Sequence, residues 1–217
     1  MGAWSGGVSD PTSRAPLHVE VIPRPYAPLV MTAQDVPAPF VEALHALRDR
    51  RLRSEVRLTE VPAPGRIAPY SVALSAEIDA PDGEAELGSG RFVLLHDPNG
   101  QEAWDGTFRA VTLVRATLEA ELGGDPLLCE AAWSWVEESL HDADAGFHSL
   151  GGTVTRIVSQ SFAALAERPA QVEVEVRASW TPEGDVGAHL DAWSTVLCTA
   201  AGLPPLPDGV AAIGRRR

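Results

Sequence analysis

Lysine is absent from this 217-residue chain, and all 17 basic residues are Arg. That absence removes Schiff-base chemistry, the pyridoxal phosphate attachment lysine, the Walker lysine and the kinase strand lysine. Cysteine is nearly absent too: Cys129 and Cys198 stand far apart with no Cys-x-x-Cys, which points to two reduced, packed thiols rather than a bridge. No apolar run approaches the roughly 20 residues a membrane helix needs. Residues 1–30 lack a charged start followed by an apolar stretch, and Pro11, Pro16, Pro23, Pro25 and Pro28 fit neither a secretory signal nor a transit peptide, so a cytoplasmic address is expected. Positive charge is scarce. Thirty acids against 17 Arg give a net charge of −13, a field that repels phosphate backbones and anionic membranes, so neither nucleic acid nor a membrane is the expected partner.

What is present reads as one globular domain between two irregular ends. Residues 1–35 mix Gly, Ser and Pro with isolated apolar residues and show no period, an extended or disordered lead. Residues 203–217 are again rich in Pro and Gly and close on three arginines, a C-terminal tail. Between them, residues 36–202 are long enough to bury a core without disulfides or a structural metal.

The periodicities within that span alternate in type. Phe40, Leu44 and Leu47 predict a helix opened by Pro37 and Pro39 and running to about Arg53. Val56 and Leu58 predict a half-buried strand, Val72 to Ile78 a second ending at Pro81-Asp82-Gly83, and Arg91 to His96 a third that is apolar on both faces and stops at Asp97-Pro98-Asn99-Gly100. Residues 107–119 fit a helical spacing through Phe108, Val111, Val114 and Leu118, but their Thr and Val content favours a strand. Asp125 as N-cap with Pro126 at the first position predicts a second helix to about His141, after which Gly146, Gly151 and Gly152 break the chain. Thr153 to Ser159 and Val172 to Trp180 read as strands. Leu190, Trp193, Leu197 and Ala201 mark a last helix, with Gly202 at C′ and Pro204 beyond. The fold class is therefore α+β: an antiparallel sheet of five or six strands with helices packed on one face, in the order α-β-β-β-(β)-α-β-β-α. No Gly-x-Gly-x-x-Gly loop joins a strand to a helix, which excludes a Rossmann reading.

Residues with chemistry are few. His96 and Asp97 lie at a strand end, with Glu102 and Arg109 nearby, where a cleft could place a general base. Neighbours in a strand point to opposite faces, so His96 and Asp97 are a poor dyad, and Asp97 before Pro98 is what a turn requires. His141, Asp142, Asp144 and His148 are interrupted by a helix end and a glycine turn and lack metal-ligand spacing. His18, His45 and His189 are isolated. No Gly-x-Ser-x-Gly elbow occurs, and Cys198 resembles a core thiol. No catalytic, cofactor-binding or metal-binding residue is assigned. Against the global charge, residues 48–57 hold five arginines (Arg48, Arg50, Arg51, Arg53 and Arg57), either a seat for an acidic partner or favourable charges at a helix C-terminus. Trp104, beside Gly106, is the tryptophan expected at an interface.

Gly90-Arg-Phe-Val-Leu-Leu-His-Asp-Pro98, Gly100-Gln-Glu-Ala-Trp104, Asp125-Pro-Leu-Leu128 with Trp133-Ser-Trp135, Gly151-Gly-Thr-Val-Thr-Arg156, Val176-Arg-Ala-Ser-Trp-Thr-Pro182 and Leu197-Cys-Thr-Ala-Ala-Gly-Leu-Pro-Pro205 together resemble the actinobacterial domain of unknown function 3000 family, over roughly residues 36 to 217. That resemblance carries no activity, ligand or catalytic residue onto this chain. The element order is similar to that of small acidic secretion chaperones, from which a strand at 107–119 would depart; such a likeness is a weak guide to function. The expectation is a non-enzymatic protein-binding or adaptor domain, homodimeric, using a surface with Arg48, Arg51, Trp104 and Arg109. One alternative is an enzyme or small-molecule binder with a cleft at His96, Asp97, Glu102 and Arg109. Another is an RNA-associated cofactor using the Arg48 to Arg57 patch. Met1 and Met31 are the only methionines, and Met31 precedes the first periodic segment and the family pattern. Translation is expected to start at Met31; an intact mass of the native protein that includes residues 1–30 would remove that expectation.

Overall fold

The computed structural model describes residues 36–80 and 85–203. The expected lead, the Pro81-Asp82-Gly83 turn and the tail beyond Leu203 lie outside the described residues. Alternating apolar residues produce six strands: β1 (Arg57–Val61), β2 (Tyr70–Asp79), β3 (Glu86–Gln101), β4 (Gly106–Leu118), β5 (Phe147–Ser159) and β6 (Gln171–Pro182). With α1 (Ala38–Asp49), α2 (Leu128–Asp142) and α3 (Val186–Ala200) they follow the order α-β-β-β-β-α-β-β-α. All strands join one antiparallel sheet in the spatial order β1-β2-β3-β4-β6-β5. No helix among the described residues is long and apolar enough to cross a membrane.

The helices lie on one face, and alternation in the strands selects what meets them. Leu74, Ala76 and Ile78 of β2, Phe92 and Leu94 of β3, Ala110 and Val114 of β4, and Val174, Val176 and Trp180 of β6 form the core with α3. The last helix is apolar round most of its circumference, because the sheet, α1 and α2 cover all but a stripe of Asp191, Thr195 and Thr199. Its entry is capped by Asp185, whose carboxylate accepts from the Gly187 amide at 2.9 Å. Its exit is a Schellman turn: the Leu203 amide donates to the Cys198 carbonyl (2.9 Å) and the Gly202 amide to that of Thr199 (3.0 Å), with Gly202 at φ +73°.

Several boundaries differ from the sequence expectation, each for a local reason. The first helix ends at Asp49 rather than near Arg53, because Arg50 turns into extended backbone (ψ 139°) and pairs with Asp185 and Asp191 across α3. The second begins at Leu128; Asp125 instead closes a turn, its carboxylate accepting from the Leu127 amide at 2.8 Å. The first strand is a mostly exposed edge rather than half-buried. The third runs past Asp97-Pro98-Asn99-Gly100, which forms a bulge, and the chain reverses afterwards over Glu102–Trp104 with Asp105 left-handed at φ 53°. Residues 107–119 are indeed strand. Gly151 and Gly152 lie inside β5 instead of breaking the chain.

Gly90 is the position where helix and sheet come closest. A Cβ there would stand 2.8 Å from both the Leu113 carbonyl oxygen and the Trp193 ring. Into that notch Trp193 inserts its indole, which donates to the Leu113 carbonyl (3.3 Å) and packs beside Phe92 (5.8 Å between centroids). Gly90→Ala is expected to destabilise the fold by about 1–3 kcal/mol through overpacking, read as a lowered urea midpoint at unchanged m-value.

Candidate functional site

The strand-end cleft does not assemble. His96 is buried on the helix face, its ring stacked on Phe108 at 4.2 Å and flanked by Phe40 and Tyr70. Its Nδ1–H donates to the Thr107 carbonyl (3.0 Å), which leaves Nε2 an unprotonated acceptor, buried and without a hydrogen-bond partner. Burial holds the imidazole below its ordinary pKa, against the opposing pull of the Thr107 carbonyl and Asp97. Asp97 is occupied by the bulge, accepting from the Asn99 amide (3.1 Å) and the Gln101 side chain (3.2 Å), while Glu102 is exposed on the reversal. His141 donates to the Glu137 carbonyl of its own helix (2.6 Å), apart from His148. Among the described residues no three His, Cys, Asp or Glu side chains are grouped to hold a metal ion.

The expected partner surface is also rearranged. Trp104 is a correction: at 7 % exposure it packs with Ala73, Val93 and Leu95 in a second small core, because the 3-10 turn folds it back over the sheet. Arg109 is half-buried and fully engaged, donating to the Ser149 carbonyl (2.9 Å), Thr181 Oγ1 (3.2 Å) and both oxygens of Ser179 (2.8 and 3.3 Å). It clamps three strands together. The arginine patch is largely neutralised within the fold: Arg50 by Asp185 and Asp191, Arg53 by Glu55, and Arg57 by Glu77 and Asp79. Arg48 and Arg51 remain exposed on the end of α1 and the residues that follow it, with no ion pair among the described residues.

The feature that sequence reasoning missed lies on the sheet face away from the helices. The registers set Val93 beside Val111, Val111 beside Ser179 and Ser179 beside Gly151, with Arg91, Leu113, Arg177 and Thr153 as the next row. These two rows line an open trough of about 470 Å³. Val93 also belongs to the Trp104 cluster, so the trough begins where the cover of that small core ends. Glu175 accepts from Arg115 Nε and from Arg177 Nε (2.7 Å); burial would raise its pKa, and the two guanidiniums outweigh that and lower it. Arg91 has no ion pair among the described residues. Arg91, Arg109, Arg115 and Arg177 thus share one face of an otherwise acidic molecule with Glu175, Glu173 and, on β2, the Arg57-paired Glu77. The signal was present in the sequence: Val93 and Leu95 of β3 and Val111 and Leu113 of β4 are apolar on the face that helices do not cover.

Two further histidines meet at Glu183. Trp180 Nε1–H donates to Nδ1 of the wholly buried His189 (3.0 Å), whose Nε2–H donates to the Glu183 carbonyl (3.2 Å). That pattern demands the neutral ring, and burial keeps the His189 pKa low despite the Glu183 carbonyl and Asp185. His148 is the reverse: Nε2 donates to the Asp105 carbonyl and Nδ1 to the Glu183 carboxylate, both at 2.9 Å. Both nitrogens face acceptors, an arrangement that favours the imidazolium, and these bonds raise its pKa.

The model of a family described as a protein of unknown function (DUF3000) matches residues 36–211. The chain belongs to that family. No curated protein and no solved structure matches it significantly.

The histidine pairs set a pH dependence with a definite sign. For His189 and His96 the folded pKa lies below the ordinary value of about 6.5, so their stabilising neutral state is lost as pH falls below that value. The contribution of His148 is present at low pH and lost as pH rises through its raised pKa. Chemical denaturation between pH 7 and 5 should therefore show a stability loss that flattens in His189→Gln and steepens in His148→Gln.

Proposed function

We propose that this protein is a non-enzymatic, cytoplasmic protein-binding domain whose open sheet face holds a short amphipathic helix of another protein, acidic along one flank. The observation that supports it is the trough: an apolar floor walled by Arg91 and Arg177 on a chain of net charge −13. Four strands spaced about 4.8 Å apart span roughly 14 Å, the length of about nine helical residues. Such a groove suits a helix laid across the strands, with apolar anchors on Val111 and Leu113 and carboxylates at the guanidiniums. This surface is apolar and Arg-bearing and lies on β3, β4, β6 and β5; of the residues expected from the sequence, Arg48, Arg51, Trp104 and Arg109, only Arg109 shares a strand with it. The similarity in element order to secretion chaperones is off by one strand, since four precede α2.

Fluorescence polarisation with two labelled 12-residue helical peptides, alike in apolar face but flanked by Glu or by Arg, tests this. The Glu-flanked peptide should bind selectively, and Val111→Asp or Arg91→Glu should weaken it at least about tenfold, 1.4 kcal/mol. Arg48→Glu with Arg51→Glu should leave binding unchanged. Equal binding of both peptides, or loss only in the Arg48 and Arg51 variant, would overturn the reading.

A further inference from the structure

The outer edge of the sheet carries a second surface, independent of the reading above. β5 is its terminal strand, pairing with β6 alone, and from Gly151 to Ser159 that pairing is uninterrupted. Exposed edges of this length are normally blunted by Pro, Lys, inward charge or a bulge. Residues 151–159 contain no Pro or Lys, and Arg156 is their one charge. The edge also exposes apolar side chains: Ile157 and Val158 stand 42 % and 54 % accessible. On the helix side, a groove of about 380 Å³ runs between α2 and this strand, lined by Cys129, Glu130, Trp133, Gly152 and Val154. Gly152 lets Trp133 of α2 rest directly on the strand at one end of it, because a Cβ there would collide with the Arg177 carbonyl and stand 2.7 Å from the Trp133 ring.

We infer that the occupant of this edge is a second copy of the chain, paired antiparallel through β5 about a two-fold axis. Symmetry and the period of two fix the register. If the open faces of the two sheets are to be continuous, one residue must face its own counterpart, and using the whole regular stretch 151–159 makes that residue Thr155. Thr153 then faces Ile157 of the partner subunit, and Gly152 faces Val158 of the partner subunit. The exposed valine then lies at the groove, against the Trp133 ring that covers Gly152. Arg156 of the partner subunit, whose guanidinium donates to a backbone carbonyl of its own chain and keeps its charge, comes beside Val154, on the wall that carries Glu130, an attraction that opposes the repulsion between two acidic copies. Each contact away from Thr155 occurs twice. Thr153 also lines the trough, so Ile157 of the partner subunit extends the trough's wall.

Sedimentation and register-specific crosslinking of the full chain in a Cys129→Ser background test this. The wild type should sediment at twice 23.0 kDa, and Val158→Asp should raise the dimer dissociation constant at least about tenfold. Facing Thr155 Cα atoms would lie about 4.5–5.5 Å apart, within disulfide range. Thr153 positions would be roughly 14 Å apart, four residues along the strand. Thr155→Cys should therefore crosslink under mild oxidation at least about tenfold faster than Thr153→Cys. A monomer at about 100 µM, or a dimer in which the two cysteine variants crosslink equally, would overturn the inference.

Discussion

Everything on the helix face is organised around Trp193 reaching the sheet through the space left by Gly90. The indole is too large to lie between α3 and a strand that carries side chains at every position, and its N–H needs an acceptor once buried. Gly90 supplies the space and the Leu113 carbonyl the acceptor. With α3 held there, its remaining sides become walls for α1 and α2. Gly187 repeats the device on a smaller scale, since a side chain there would collide with Arg50 and come within 3.0 Å of the Ala46 carbonyl. Arg50 can thus cross the α1–α3 junction to its two aspartates.

Much of this arrangement was legible in the sequence. The alternation from Val172 to Trp180, the Gly202 stop and the strand at 107–119 follow from period, propensity and capping, which act locally. The helical spacing that competed at 107–119 has a simple origin: Phe108, Val114 and Leu118 face the helices while Val111 faces the trough, so apolar residues fall on both sides of one strand. The misplaced features were those decided by distant partners. Arg50 ends α1 early because Asp185 and Asp191 lie 135 and 141 residues away, and Gly152 stays in a strand because Trp133 covers it. Trp104, beside a glycine and a turn, gives no local sign of the small core beneath it.

The site residues fared differently from the fold. His96 and Asp97 part to opposite faces as strand geometry requires, and the first ends in an aromatic box, the second in a bulge. Arg109, expected in a partner surface or a strand-end cleft, has its donors taken up by β5 and β6. Charge counting along the chain found the cluster at 48–57 because those arginines are adjacent in sequence. It missed Arg91, Arg115 and Arg177, which only strand pairing brings together.

The trough has no loops of its own; it is the reverse side of the core. In β4 and β6, Thr112, Ala178 and Trp180 point toward the helices, while their chain neighbours Val111, Arg177 and Ser179 point toward the opening. Two sets of constraints are thus written into alternate letters of the same words. Even-numbered positions answer to the packing of α3, odd-numbered ones to whatever lies across the sheet. Drift among related chains would be filtered twice at period two, and the imprint of an occupant would be found by reading every second residue.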